Sequence, residues 1–276
     1  MSYATDTDYI VYIPTRNRLD KQFTYDLLKD LPFLKNRLFL VVHPSEAEEH
    51  IARGRQIIVR PEGQIHHIWE YMRNRTEDPD LFFIMDDDLS FFRRISDDPE
   101  EWGLRKLTPD DIPTFNELFS NCLTKMIVDG YIHGTLDSRQ GNAFKAQPDF
   151  EVGRANAFHF FNRPEIAETG LDMGLSGLHD IHTTLHLLER GEPNIVISNF
   201  CWDQRRGSNA PGGCSTYRDP VWQAEEVHKL KVLHPKTIKV VEKTPKGGWG
   251  DGFKTRTDVR VSWQKAYNLG RIGKEK

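Results

Sequence analysis

Three consecutive carboxylates, Asp86-Asp87-Asp88, stand directly behind five apolar residues, Leu81 to Met85. Like charges at the end of a buried segment repel one another and lose hydration, and a cation placed between them offsets both costs. Carboxylate oxygens are the hard ligands that Mg2+ and Mn2+ take, and an ion held there can also bridge two phosphates of a nucleotide. A solvated acidic turn is the competing reading. Arg16 and Arg18, in Pro14-Thr15-Arg16-Asn17-Arg18, follow another short apolar run and suit a phosphate or a base edge. A fourth carboxylate, Asp180, falls in the first turn of an amphipathic stretch, where a helix N-terminus stabilises negative charge whether or not it does chemistry. His182 and His186 have metal-ligand spacing but no Glu between them in a metalloprotease arrangement.

Periodicity places these residues on elements. Tyr9 to Ile13 reads as a strand, and Asp20 to Leu31 as a helix with Phe23, Leu27, Leu28 and Leu31 on one side and Pro32 just past it. Arg37 to Val42 is a second strand, and Ser45 with Glu48 resembles a capping box for a short helix through Ile51. Gln56 to Val59 is a third strand, and Ile65, Ile68, Trp69 and Met72 recur at helical spacing up to about Arg75. The aromatic and β-branched Leu81 run is a fourth, buried on both faces. Strand and helix thus alternate, which implies an α/β fold with a mostly parallel sheet flanked by helices and ligands outside the carboxyl ends of its strands. The loops after Ile13, Val42, Val59 and Met85 then open on one edge, so Arg16, Arg18 and the Asp86 cluster face one crevice.

Beyond Asp88 the pattern loosens. Phe91 to Lys106 reads as a charged linker anchored by Trp102, and Thr108 caps a helix with Pro109 in its first turn, running to about Val128. Tyr131–Leu136, Ala157–Asn162 and Asn194–Phe200 read as strands, and Asp137 to Arg154 as a polar substrate loop. The glycine-rich loop Cys201 to Arg218 has the composition of a lid or equally of a plain surface loop; as a lid it offers Trp202, Arg205, Arg206 and Arg218 to an acceptor.

At 276 residues and 38% hydrophobic content the chain can bury a sizeable core. Nothing approaches a membrane span or a signal-peptide core, and three scattered cysteines, Cys122, Cys201 and Cys214, fit a reducing cytoplasm. The net charge of -4 is uneven: residues 229–276 hold 13 Lys and Arg against 4 Asp and Glu, about +9, leaving 1–228 at about -13. The division expected is a domain over 1–228, with a nucleotide-binding half (1–90) and an acceptor half (91–228), and a basic segment over 229–276 that suits a polyanion.

An α/β N-terminal half, an apolar strand ending in Asp-x-Asp, and an Asp heading a later helix that stops at Gly191 together resemble the GT-A (Rossmann-like) glycosyltransferases. More narrowly, Ile13 to Arg18, Phe83 to Phe92, Gly212 to Arg218 and Val261 to Ala266 are similar to the phage Tet-associated and related DNA-modifying glycosyltransferases, which act on 5-hydroxymethylpyrimidines. The resemblance implies Mn2+ or Mg2+ on Asp86 and Asp88, holding the diphosphate of a UDP- or GDP-sugar donor. Asp87 falls near the sugar or ribose, and Pro14, Thr15, Arg16 and Arg18 against the nucleotide. It implies Asp180 as catalytic base in an inverting reaction, although the motif reads His179-Asp180 where Glu-Asp is usual. A C-terminal His is often a third metal ligand; His228 and His234 are the candidates, His234 the chosen one. The acceptor implied is hydroxymethylcytosine or a related base in phage DNA, flipped or single-stranded, with the basic segment neutralising phosphates. Trp249, Phe253, Trp263 and Tyr267 are available to stack on a base. A nucleotidyltransferase and a non-enzymatic DNA-binding protein are the rival readings; the first-strand loop lacks the glycines and Lys that would favour the former.

Overall fold

The computed structural model describes residues 3–96, 98, 101, 103–139, 147–172, 174–204, 212–213, 219–244 and 255–274. A short helix α1 (Tyr3–Asp6) leads into β1 (Tyr9–Pro14), α2 (Phe23–Leu28), β2 (Leu38–Val42), α3 (Ala47–Ala52), β3 (Ile57–Val59), α4 (Ile65–Arg73) and β4 (Leu81–Met85). Then follow β5 (Leu89–Arg94), β6 (Leu104–Lys106), α5 (Ile112–Ile127), β7 (His133–Ser138), β8 (Phe150–Glu151), β9 (Phe158–Asn162), α6 (Arg163–Glu168), α7 (His179–Leu188) and β10 (Ile195–Gln204). The chain closes with α8 (Pro220–Leu233), β11 (Ile238–Lys243), β12 (Arg256–Val261) and α9 (Trp263–Lys274).

Ten strands form one sheet in the order β3-β2-β1-β4-β9-β7-β10-β5-β6, with β8 on β10. β1 to β4 are mutually parallel, as the alternation predicts. β9 enters antiparallel to β4 and to β7, β7 and β10 are parallel, and β5 runs against both β10 and β6. β1–β4, β6, β7 and β10 therefore share one direction. That direction brings the carboxyl ends of β1 to β4 and β10, and the amino end of β9, to one edge.

Alternation along the strands supplies a core on each face. Tyr9, Val11, Ile13, Phe83 and Met85 pack with Tyr25, Leu28 and the Phe115–Met126 stripe of α5; Ile10, Tyr12, Phe82 and Ile84 pack with Ile68, Trp69 and Met72 of α4. Burying each such side chain stabilises the fold by roughly 1.5–3 kcal/mol, so β4, whose last four residues are buried, is firmly placed. A third cluster joins Leu178, Ile181, Leu185 and Leu188 to Val227, Leu230, Ile238, Val259 and Ala266, so residues from α8 onward share a core with α7.

Several local expectations are corrected. The stretch Phe91 to Lys106 is not simply a linker: it supplies most of β5 and all of β6, whose charges hid the pattern, and Arg94 is buried with its Nε donating to the Ser198 carbonyl 2.6 Å away. The 112–127 helix starts at Asp111 rather than Thr108; the Asp111 carboxylate accepts from the Thr108 N–H (2.8 Å) and hydroxyl (3.0 Å). The expected capping box at Ser45 does not form: α3 follows Glu46 with no side-chain cap, and His43 caps the turn before it, its ring accepting from Ser45 N–H at 3.1 Å. Trp102 lies outside the described residues. Among those described, no helix is long and apolar enough to cross a membrane.

Candidate active site

The crevice at the carboxyl edge has a volume of about 800 Å³. Pro14 to Arg18, His43, Arg60 and Asp86 to Asp88 all line it, so the loops after β1 to β4 converge as parallel pairing requires. Asp180, Gln204 and Gly213 line it as well.

The acidic turn is held by its neighbours. Thr24, in the first turn of α2, donates through its hydroxyl to the Asp86 carbonyl (2.6 Å) and accepts from Leu89 N–H (2.8 Å), while its own N–H donates to the Asp87 carbonyl (3.1 Å). Asp86 N–H donates to the Ala157 carbonyl at 2.8 Å. Backbone atoms on both sides thus fix the direction of three side chains. Asp87, 4% exposed, accepts from the Thr15 hydroxyl at 2.6 Å and from Arg18, whose same Nη1 lies 3.4 Å from Asp88. Asp86 accepts from Gln204 Nε2 at 2.8 Å. Gln22 holds the loop by donating to Thr15 Oγ1 and to the Arg18 carbonyl, each at 2.8 Å.

Among the described residues two of the three carboxylates, Asp87 and Asp88, therefore share one guanidinium, and Asp86 is met only by an amide. Burial, then Asp88, Asp87 and Asp180, push the Asp86 carboxyl well above the usual range; burial lifts Asp87 to about 6 against the opposing pull of Arg18, and burial raises Asp88 likewise. Asp88 is 6% exposed, and its buried Oδ1 has no hydrogen-bond partner. An unpaired carboxylate oxygen beside surplus negative charge is the arrangement that a hard divalent cation satisfies. Among the described residues no three His, Cys, Asp or Glu side chains converge on one point, so the side chains of these types described there offer only part of a coordination shell.

The other expected residues divide. Asp180 stands at the head of α7 in the crevice wall, close enough to raise Asp86, and the Trp69 ring meets the His179 ring beside it at 4.7 Å between centroids. His234 is not at the crevice. The Asp172 carbonyl accepts from His182 Nε2 (2.6 Å), so His182 Nδ1 accepts from His234 Nε2 (2.8 Å), and His234 Nδ1 donates to Glu189 (2.9 Å). With both ring nitrogens engaged, by His182 and Glu189, His234 latches α8 to α7 away from the crevice. His186 is not among the crevice-lining residues either; its Nε2 lies 3.1 Å from the Thr169 carbonyl and 2.9 Å from Arg190 Nε and can serve one of them at a time, and His228 is exposed on α8. Trp202 is a core residue, 3% exposed, its indole N–H donating to the Leu136 carbonyl at 3.2 Å, because β10 runs four residues beyond the expected strand end. Arg205, Arg206, Arg218, Cys214, Trp249 and Phe253 lie outside the described residues; Trp263 lines the crevice.

Of the expected lid, Cys201 to Gln204 belong to β10, and Gly212 and Gly213 are also described. Gly213 N–H donates to the Arg16 carbonyl at 2.8 Å, and a Cβ on Gly212 (φ 95°) would stand 2.7 Å from Arg18 Cγ and 2.8 Å from the Asn17 carbonyl oxygen. Only glycine permits that approach. Sequence reasoning missed Thr24, Gln22 and Gln204, which are ordinary polar residues until the fold brings them to the acids. It also missed the lining contributed by Lys243, Arg256, Asp258 and Arg260.

Comparison with solved structures places this architecture. A mannosyltransferase from Pyrobaculum calidifontis, solved with GDP-mannose and Mn2+, matches 83% of the chain at a TM-score of 0.51 and 13% identity. S. aureus TarS residues 1–349 with UDP matches 82% at 0.47 and 11% identity, covering 65% of that chain. A CMP-2-keto-3-deoxy-manno-octonic acid synthetase with CTP matches 69% at 0.42 and 11% identity, covering 89% of that chain. At these identities the likeness speaks to fold alone, and the fold is the Rossmann-like GT-A type that the sequence predicts. The chain spans 64% of the length of the mannosyltransferase it matches. No family model matches the sequence, and no curated protein matches it.

Proposed function

We propose that the protein is a metal-dependent glycosyltransferase that moves a sugar from a UDP- or GDP-sugar to a hydroxyl. The observation that carries this reading is the crevice-edge cluster of three carboxylates, Asp87 and Asp88 buried and Asp86 half-buried, with Arg18 against Asp87 and Asp88 and the Asp88 Oδ1 unpartnered. Asp86 and Asp88 are the residues to hold Mn2+ or Mg2+, with a donor diphosphate completing the shell; the ion, when bound, supplies positive charge against the departing diphosphate. Pro14, Thr15, Arg16 and Arg18 form the nucleotide-facing loop, and Asp87 orients Arg18 and Thr15 from beneath. Asp180, in the first turn of α7, accepts the proton of the acceptor hydroxyl if the reaction inverts. The mannosyltransferase comparison supports the reading through a shared fold in a structure with GDP-mannose and Mn2+.

The acceptor we infer is a hydroxymethylated pyrimidine of DNA, supported by the motif resemblance and by the excess of about nine positive charges over residues 229–276. A base within a duplex cannot reach a crevice, so the acceptor is flipped out or single-stranded. The test is a transfer assay over a panel of UDP- and GDP-sugars with hydroxymethylcytosine DNA beside unmodified DNA, with Mn2+ and with chelator. Metal-dependent transfer to modified DNA alone supports donor and acceptor together. Transfer of a nucleotidyl group in place of sugar, or DNA binding with no nucleotide-sugar turnover, would replace the proposal by one of its rivals.

A further inference from the structure

β11 and β12 pair with Lys243 opposite Arg256, Val241 opposite Asp258 and Lys239 opposite Arg260. Side chains alternate between faces, so Ile238, Val240, Val259 and Val261 share one face, and it packs into the cluster with α7, α8 and α9. The other face carries Lys239, Lys243, Arg256 and Arg260, with Asp258 its one carboxylate. Asp258 is spent on Lys243 (3.1 Å) and Arg256 (2.9 Å). Lys239 and Arg260, directly opposed and both exposed, have no carboxylate within 4.0 Å among the described residues. Like charges facing each other across a ladder destabilise it, and a bound anion relieves them.

This face belongs to the crevice. Lys243, Arg256, Asp258 and Arg260 line it, and Arg154, exposed ahead of β9 and likewise without a carboxylate partner among the described residues, lines it too. None of these cations forms an ion pair with the Asp86 cluster, where Arg18 pairs with Asp87 and Asp88. The crevice therefore has an acidic floor suited to a metal and a separate basic wall with surplus positive charge.

We propose that the charged face of the β11–β12 hairpin, with Arg154, is a phosphate-binding wall that holds the acceptor, so that the acceptor carries phosphate close to its reacting hydroxyl. The proposal deepens the transferase reading and rests on it for the word acceptor. The phosphate can belong to a polynucleotide backbone or to a free nucleotide. Lys239, which shares the face but is not among the crevice-lining residues, extends the charge outward as a chain of phosphates requires.

The test compares wild type with the double variant Lys239→Gln/Arg260→Gln and with Arg154→Gln. The probe is a fluorescein-labelled single-stranded oligothymidylate titrated at several salt concentrations, with dCMP as competitor. Each lost phosphate contact lowers the salt slope by about 0.7, so the double variant loses about 1.4. Its affinity falls roughly tenfold or more at low salt, its Tm is equal or higher, and its Mn2+-dependent nucleotide-sugar binding is unchanged. Displacement by dCMP assigns the phosphate to a free nucleotide, and resistance assigns it to the polymer; either supports the wall. An unchanged slope and affinity in both variants overturns it, as does wild type that binds a nucleotide sugar but neither oligonucleotide nor dCMP. Loss of oligonucleotide binding in the variants, with no nucleotide-sugar binding in wild type, keeps the wall and removes the transferase reading.

Discussion

Replacing Asp86 by Asn should raise stability while it abolishes turnover. Asp86 faces Asp87, Asp88 and Asp180, and burial together with those three charges raises its carboxyl pKa. Two unit charges about 5 Å apart at an effective dielectric of about 20 repel by roughly 3 kcal/mol. Against this stands the Gln204 hydrogen bond (2.8 Å), which an amide retains through its own oxygen. Arg18, engaged with Asp87 and Asp88, keeps its partners. The net expectation for the metal-free protein at pH 7.5 is a gain of about 1–2 kcal/mol, or roughly 2–6 °C in Tm for a chain of this size. The assay is thermal melting in chelator and again with Mn2+ plus UDP or GDP. Wild type should rise on adding metal and nucleotide and the variant should not, so their order reverses. A variant that melts below wild type in chelator refutes the electrostatic reasoning, since it would mean the third carboxylate is already compensated.

Other perturbations probe separate parts. Gly270→Ala should destabilise although alanine is the better helix former by about 1 kcal/mol, because a Cβ there would meet Gly191 N at 2.2 Å and the Leu188 carbonyl oxygen at 2.4 Å. A lowered Tm with faster proteolysis of the C-terminal segment is the expected readout. Thr24→Val leaves the Leu89 N–H without its side-chain acceptor, at a cost of about 1–3 kcal/mol, and should loosen metal-dependent nucleotide binding by calorimetry. Gly212→Ala should impair nucleotide binding with little change in Tm, since it displaces only the contact with Arg16 to Arg18. Burial holds His50 and His182 down at about 4 and His133 at about 3. Their folded pKa values lie below the unfolded one, so they favour the folded state fully above about pH 6.5 and lose that contribution as pH falls toward 4. Tm should decline over that window.

The N-terminal half was legible because its signals are local. Apolar runs ending in charge gave β1 to β4, and strand-helix alternation gave their parallel order, which alone predicts that Arg16, Arg18 and Asp86 meet. The second half was less so. Arg93 and Arg94 masked β5, since a buried guanidinium satisfied by a carbonyl reads in sequence like a surface charge. The extension of β10 past Phe200 turned Trp202 inward, and a one-residue change of phase is enough to do so. His234 had a plausible residue type, but its partners His182 and Glu189 come from a different helix, and only tertiary packing shows both ring nitrogens taken. The basic C-terminal segment was visible as a count of charge; that four of its cations share one face of a hairpin follows only from the register of β11 on β12.

The most direct test of the central claim is calorimetric titration of wild type and of Asp86→Asn with UDP and with GDP, each in Mn2+ and in chelator. The account predicts binding of one nucleotide to wild type in Mn2+, at least tenfold weaker in chelator, and lost in a variant that melts no lower than wild type. Equal binding in chelator, or undiminished binding by Asp86→Asn in Mn2+, would contradict a metal site on the acids behind β4.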